Sequence, residues 1–408
     1  GVPLNEDNSQ NIAMIADYNY QDMDSYFGAT KYLAGQHSGY LNLLYQNVIN
    51  ESHRFTLGLN GTYDRYDEDF ARNIWAIGVV TTEKAGITDL ANAGVFGEYT
   101  FNSGDKLSVI AGLRGDWFYG QGFKVSPRAT LKYMPVDEIV IRANGGRGLR
   151  YSTPLVDNIG VFSTGKQFVG DFNDHILEDA WTFGGNITYY LPFGASSNTY
   201  LSFDFFRTQF AQQMVVDYEY GPNQINFYAL DDRQSFTDNF QLDFSIDPIE
   251  RFNITATFRY TNAMQQFKGS EAPVEKPMTS RFKGVLNLQY ATNLNKWIFD
   301  FTASLNGSCR VYDFMKDLKD ADGNLLYKNG RTPVYPMLYA QVTRRFKGWD
   351  VYIGAENLTN FTQKDVILGT KGPDGLVNPR LTSFDASCIW GPLMGIKAHV
   401  GFRFTLWK

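Results

Sequence analysis

Residue types that commonly do chemistry are thinly spread through this 408-residue chain. The four histidines, His37, His53, His175 and His399, show no metal-ligand spacing. The two cysteines, Cys309 and Cys388, lie far apart in sequence, and both a disulfide and two free thiols stay open. The glycine pattern Gly145-Gly146-Arg147-Gly148 falls where a strand runs into a loop. A phosphate cradle needs a strand-to-helix turn, so the pattern is weak as a nucleotide signal. Asp320-Ala321-Asp322-Gly323-Asn324 has the look of a calcium loop. With Gly323 in the invariant position, however, the first ligand position falls on Leu318, which offers no side-chain oxygen. A β-turn is the plainer reading, with Ca²⁺ at an acidic outer loop as the alternative. No Ser/His/Asp order is suggestive, so catalytic residues, a metal centre and a cofactor are not expected, and the chain does not read as an enzyme.

What remains are groups suited to binding. Tyr218, Glu219, Tyr220, Asn223, Phe227, Tyr228, Asp231 and Asp232 crowd one segment. Aromatic stacking combined with hydrogen bonding suits sugars or macrocycles, although ordinary loop residues look similar. Arg147 and Arg150 stand at the start of a long loop, where they could meet an anionic ligand or pair with acids on neighbouring strands.

These residues are held by strands. The chain has 25 Tyr, 32 Phe, 7 Trp and 38 Gly, yet its mean hydropathy is −0.30. Many aromatics with modest hydropathy suit a sheet that is apolar on one face and polar on the other. A net charge of −6 gives no electrostatic support for nucleic-acid binding. Alternation recurs along the chain. Trp297, Phe299, Phe301, Ala303 and Leu305 alternate with Ile298, Asp300, Thr302, Ser304 and Asn306, and the chain closes with Ala398, Val400, Phe402, Phe404 and Leu406 on one parity. The connections alternate too. Links such as Phe346–Trp349 are short, whereas Ser152–Asp174, Val216–Asp232, Met264–Pro277, Glu68–Thr88 and Asn360–Pro392 read as long. The link near Gly120–Gly122 is the one brief member of the long set. Short turns on one rim and long loops on the other predict an all-β, antiparallel up-and-down transmembrane barrel, with about sixteen strands legible. Trp117, Tyr133, Tyr190, Trp297 and Trp349 are expected in its interfacial girdles.

Three segments carry a family resemblance. Ser126–Pro154 resembles a stretch of TonB-dependent outer-membrane receptors in which a Ser-Pro-Arg strand leads to a Gly-Arg-Gly-aromatic-Arg motif. Here that motif reads Gly146-Arg147-Gly148-Leu149-Arg150. Trp349–Asp365 is similar to the penultimate strand of that family, with Glu356-Asn357-Leu358-Thr359-Asn360 as its hallmark. The end of the chain resembles the closing strand and its insertion signal, matched at Gly401, Phe404 and Leu406.

The resemblance implies a receptor in the Gram-negative outer membrane, with a barrel of roughly 22 strands filled by an N-terminal plug. Residues 1–408 would be the C-terminal portion of such a barrel, without plug or first strands. The implied function is energy-coupled uptake of a scarce large ligand of the iron–siderophore, cobalamin or glycan class. The implied partners are outer-membrane lipid, a small-molecule or oligosaccharide ligand, an inner-membrane energy-transducing complex acting through the plug, and a surface lipoprotein lid. The rival readings are a passive 16-stranded porin and an adhesive or structural barrel. If strands are missing, the sheet should be open, or closed only by a sparse ladder between Asp24–Leu33 and Ala398–Leu406.

Overall fold

The computed structural model describes residues 1–27, 30–74, 79–196, 199–221, 224–319, 322–363 and 385–406. Among these residues the alternating faces assemble one 18-stranded sheet. Two of its members, Val2–Pro3 and Val274–Glu275, are only two residues long. The sixteen long strands begin with β1 (Gln10–Phe27), β2 (Thr30–Val48), β3 (His53–Ile74) and β4 (Val79–Ser103). They continue with β5 (Leu107–Phe118), β6 (Gly122–Val136), β7 (Ile139–Tyr151), β8 (Leu177–Tyr190), β9 (Tyr200–Gln212) and β10 (Ser235–Ile249). The last six are β11 (Phe252–Gln265), β12 (Phe282–Ala291), β13 (Trp297–Asn306), β14 (Tyr335–Phe346), β15 (Trp349–Glu356) and β16 (Lys397–Phe404). Each pairs antiparallel with the next in sequence. Among the described residues no ladder joins β1 to β16, so the sheet is open there, and β1 carries only Val2–Pro3 on its other edge.

The outer face fits a bilayer. On β3, Phe55 and Tyr63 point outward eight residues apart, with Leu57 and Leu59 exposed between them. On β8, Trp181 and Tyr189 repeat the spacing around Phe183 and Ile187. Eight residues at ~3.3 Å rise span about 26 Å along the strand, or about 20 Å after the usual tilt, close to the apolar band of outer-membrane barrels. Trp117, Tyr133, Tyr190, Trp297 and Trp349 are all exposed, as girdle residues should be. Among the described residues no helix is long and apolar enough to cross a membrane, which says nothing against strands doing so.

Two boundaries differ from the sequence reading. Glu68–Thr88 is not a loop: β3 and β4 stay paired up to Ile74 opposite Val79. Acids such as Asp67 and Asp69 argue against a strand in lipid, but above the bilayer a ladder needs no apolar face. Likewise Asp24–Leu33 is not one strand. It runs from the end of β1 to the start of β2. The brief link after β5 is made by Gly120 and Gly122, whose φ values of 73° and 76° only glycine adopts without strain.

Where they are described, the long loops are folded. Gln167–Gly170, Met214–Gly221 and Gln224–Ala229 form a separate three-stranded sheet. Leu155, Val161, Phe162, Phe168, Met214, Ile225 and Phe227 bury themselves against Tyr32 and Phe70 of β2 and β3. A second core joins Val311, Tyr312, Met315, Leu318, Tyr327 and Cys388. Tyr218 packs on both cores. Cys309 and Cys388 are buried and unbonded to each other. In the stretch that looked like a calcium loop, Lys319 bridges to Leu325 around Gly323, as in a turn, while Asp320 and Ala321 lie outside the described residues.

Candidate functional site

The residues singled out by the sequence do not gather at one point. Phe227 is fully buried and Tyr228 nearly so, because both lie on an inner strand covered on two sides. The Tyr228 hydroxyl accepts the Lys268 backbone N–H at 3.0 Å. Both rings therefore serve loop folding rather than presenting a surface. Tyr220 is exposed. Tyr218 is half-buried and stacks on Tyr312 with centroids 5.8 Å apart. Burial pushes its phenol well above the usual range, so it stays a hydrogen-bond donor at neutral pH. Asn223 lies outside the described residues.

Arg147 and Arg150 are engaged by protein. The ladder between β6 and β7 stops at Arg128 opposite Gly146, leaving the upper part of β6 without that partner. The Arg147 guanidinium takes its place: it donates to the Val125 carbonyl at 2.9 Å and bidentately to Asp179 at 2.9 and 2.6 Å. A Cβ on Gly146 would come within 3.1 Å of Arg128 Cβ and the Pro127 carbonyl. Gly146-Arg147-Gly148 is thus a device for ending a ladder. Arg150 donates to Glu178 at 2.8 Å and to Asp157 at 3.3 and 3.1 Å.

The other motif positions clamp the last strands. Asn357 and Asn360 adopt φ of 53° and 52° at the top of β15. The Asn357 amide donates to the carbonyls of Phe361 and Met394, and its oxygen accepts from Phe361 N–H and the Thr359 hydroxyl. Leu358 N–H bonds Leu338 of β14, and Asn360 Oδ1 accepts from Ile396 just before β16. Glu356 pairs opposite Lys397. Gly401 sits opposite Tyr352, and any Cβ there would overlap that ring. Gly354 makes the reciprocal space for His399. Phe404 is exposed on the outer face.

The concavities divide by face. A groove of about 700 Å³ lies among outward-facing Leu43, Leu57, Leu59, Val95 and Leu113 and is a lipid-facing crevice. On the other face, a chamber of about 580 Å³ is lined by Asp64, Tyr66, Arg114, Asp116, Arg147 and Arg150 among others. A second one, of about 300 Å³, shares Arg150 and Asp157 with it and adds Glu178, Tyr218, Gln265 and Lys276. These chambers are polar, with Tyr66 and Tyr151 lining the larger and Tyr218 and Tyr312 the smaller. Among the described residues no group of His, Cys, Asp and Glu could hold a metal.

Charge pairs fasten the loops around these chambers. Lys166 and Asp385 are buried at 1% and 0% exposure, 3.1 Å apart, with the Lys166 ammonium 4.3 Å from the Phe314 ring centroid. Arg310 pairs with Glu219, and Arg331 with Glu275 at 2.7 Å. The sequence reading missed all of these pairs except Glu219, named there only as a loop acid. Their partners are remote in sequence and follow no spacing rule.

An up-and-down sheet with a lipid-facing apolar band, two aromatic girdles, a polar opposite face and folded loops on one rim is the wall of a transmembrane β-barrel. The chain belongs to the TonB dependent receptor-like β-barrel family, whose model matches residues 3–358. Among solved structures it resembles the siderophore receptor PiuA from Acinetobacter baumannii, at 13% identity and TM-score 0.62, covering 98% of this chain and 62% of that one. The unliganded ferric citrate transporter FecA gives 14% identity, TM-score 0.63, and coverage of 98% and 59%. The copper transporter OprC gives 14%, 0.62, and 85% and 58%. The chain therefore spans about three-fifths of the length of these structures, and at such identities the likeness is one of fold. No curated protein matches the sequence.

Proposed function

We propose that residues 1–408 form the C-terminal portion of the barrel of an outer-membrane receptor. This receptor captures a scarce, large ligand of the iron–siderophore, cobalamin or glycan class and takes it up with energy delivered through an N-terminal plug. The observation that carries this reading is the folded loop cap over polar chambers. A receptor must hold its ligand before transport, and the two loop cores with their buried charge pairs supply a shaped mouth for that purpose. Tyr218 and Arg150 line the smaller chamber, Arg147 and Arg150 the larger, with Arg147 held against Asp179, and Tyr220 is exposed. Energy would come from an inner-membrane complex acting on the plug, outer-membrane lipid would surround the wall, and a surface lipoprotein is the proposed outer lid.

The test is uptake in cells carrying the intact gene, with and without a proton-motive-force uncoupler. Accumulation that stops with the uncoupler supports the receptor. Steady ion conductance in planar bilayers, with solute flux indifferent to the uncoupler, would establish the passive 16-stranded porin instead. Surface adhesion with neither flux nor uptake would point to the structural alternative.

A further inference from the structure

The inner face of the sheet is satisfied on one side and not on the other. On β8, β10 and β12 its carboxamides find partners across the ladder. Asn186 donates to Ser202 at 2.6 Å and to Asp204 at 2.9 Å, Asn239 accepts from the Thr261 hydroxyl, and Asn287 donates to Thr302 at 2.8 Å. On β2 and β3, Asn42 and Asn60 stand directly opposite each other and are 8% and 7% exposed. Among the described residues, Asn42 Oδ1 and both the oxygen and the nitrogen of the Asn60 carboxamide have no hydrogen-bond partner. Buried polar groups are seldom left so, because an orphaned donor or acceptor keeps the full cost of its lost hydration.

Both asparagines line a cavity of about 280 Å³. A Cβ on Gly58 would overlap the Phe96 ring, so that ring lies flat against the sheet, on the same face as Asn60 two residues along β3. Tyr40, two residues from Asn42 on β2, adds a second ring. The arginines of the cavity are already neutralised. Arg114 donates to Asp116 at 2.6 and 2.8 Å, Arg128 pairs with Glu98, and Arg147 with Asp179. An ion would enter without a free counter-charge, so the space suits an uncharged group.

We propose that this cavity is a subsite for an uncharged sugar ring, with Asn42 and Asn60 as its hydrogen-bonding residues. The proposal rests on the receptor reading and narrows its ligand class to neutral glycans and glycosides. Two orphaned acceptors and one orphaned donor call for groups that both donate and accept, as hydroxyls do. The C–H face of a pyranose matches the flat Phe96 ring. Each asparagine keeps a little surface on the cavity, and a turn about the soft terminal torsion of its side chain carries the carboxamide onto a ligand.

The experiment uses the receptor purified in detergent from its intact gene. The probes are the methyl glycosides of glucose, galactose and mannose, with sodium glucuronate as the charged comparison, followed by saturation-transfer NMR. At least one methyl glycoside should receive saturation, and more of it than glucuronate. Asn42→Leu and Asn60→Leu should each cut that transfer several-fold while leaving Tm equal to or above the parent's, because an apolar residue of similar shape removes the orphaned atoms. Asn287→Leu strands the Thr302 hydroxyl, so it should lower Tm and leave the transfer unchanged. No transfer to any of the glycosides, stronger transfer to glucuronate, or transfer untouched by both asparagine variants would overturn the subsite. So would a fall in Tm for Asn60→Leu as large as that for Asn287→Leu, which would mark a carboxamide that holds the receptor's own plug. Uptake that stops with the uncoupler in a receptor showing no transfer would remove the subsite and leave the receptor reading. Transfer in a protein whose flux ignores the uncoupler would do the reverse.

Discussion

The two ends of the sheet reach into the outer medium by opposite means. Strands β1 to β4 are 18, 19, 22 and 25 residues long. Beyond Tyr63, β3 runs eleven more residues, about 36 Å of ladder above the girdle. Strands β12 to β16 have only 10, 10, 12, 8 and 8 residues, and long loops take over from them. In the first region, order comes from backbone hydrogen bonds between neighbours in sequence. In the second it comes from side chains that are remote in sequence, meeting in one small core and a few ion pairs, while another core fastens loop residues such as Phe162 and Phe168 onto Tyr32 and Phe70 of β2 and β3. The first kind of order is spread over many bonds and tolerates single changes. The second is concentrated, so one substitution can undo it.

The largest effect should fall on the buried pair. Asp385→Ala strands Lys166 among Phe314 and Tyr312 and should cost about 3–5 kcal/mol of loop docking. Hydrogen exchange should then rise across Val311–Tyr327 while the β3–β4 ladder keeps its protection. Replacing both partners by apolar residues, Lys166→Met with Asp385→Leu, should recover much of the loss. Equal loosening of the β3–β4 ladder would mean that the two regions are one cooperative unit.

The next test lies within the tall region and separates its membrane part from its projecting part. Leu59 faces lipid midway between Phe55 and Tyr63, so Leu59→Arg should cost about 2–4 kcal/mol in urea unfolding from lipid vesicles. Ile87 is also exposed and outward, but four residues above the level of Tyr63 on the neighbouring strand. Ile87→Arg should stay within about 0.5 kcal/mol of the parent. Similar costs at both sites would place the bilayer higher than the girdles indicate.

Legibility in the sequence followed the same division. Alternation exposed the lipid-facing strands because one side of each must be apolar. It lost β3 and β4 between Glu68 and Thr88, because a ladder in water permits acids such as Glu68 and Asp69 and so resembles a loop. The binding residues were harder. Phe227 and Tyr228 looked like ligand aromatics, but the inner strand Gln224–Ala229 is covered on both faces, which alternation does not mark. The Glu-Asn-Leu-Thr-Asn and Gly-Arg-Gly segments stood out as motifs, while their work, clamping strand ends and finishing a ladder, needed coordinates. Lys166 and Asp385 carry no local pattern at all.

Glycines sharpen the comparison at a smaller scale. Gly401→Ala, in the short-strand region, forces a methyl into the Tyr352 ring and should cost about 1–3 kcal/mol. Adding Tyr352→Ala should remove that clash, so the double variant should lose less than the two separate costs combined. Gly39→Ala, on β2, meets nothing nearer than the Tyr63 carbonyl at 3.8 Å and should be close to neutral by thermal unfolding. A costly Gly39→Ala would show that the tall ladder is less tolerant than its many bonds suggest.

The smallest expected effect is a pH dependence confined to the loops. Burial raises the pKa of Glu275, but hydrogen bonds from Arg331 and Arg281 outweigh it and hold the carboxyl below its ordinary value. Its folded-state pKa thus lies below the unfolded one. The stabilisation is present above the unfolded value and is lost as pH falls through the folded value. Arg331 also donates to the Ser308 carbonyl, so protonating Glu275 loosens the tie between the short Val274–Glu275 pairing and the stretch Ser308–Arg331. Cleavage of that stretch by pepsin, which works in acid, should rise as pH drops through the carboxylate range, while β3–β4 stays intact. Glu275→Gln should bring the same sensitivity up to neutral pH, read there with a neutral protease, and should flatten the acid dependence. An acid dependence unchanged by Glu275→Gln would move the responsible group elsewhere, with the Arg310–Glu219 pair the next to test.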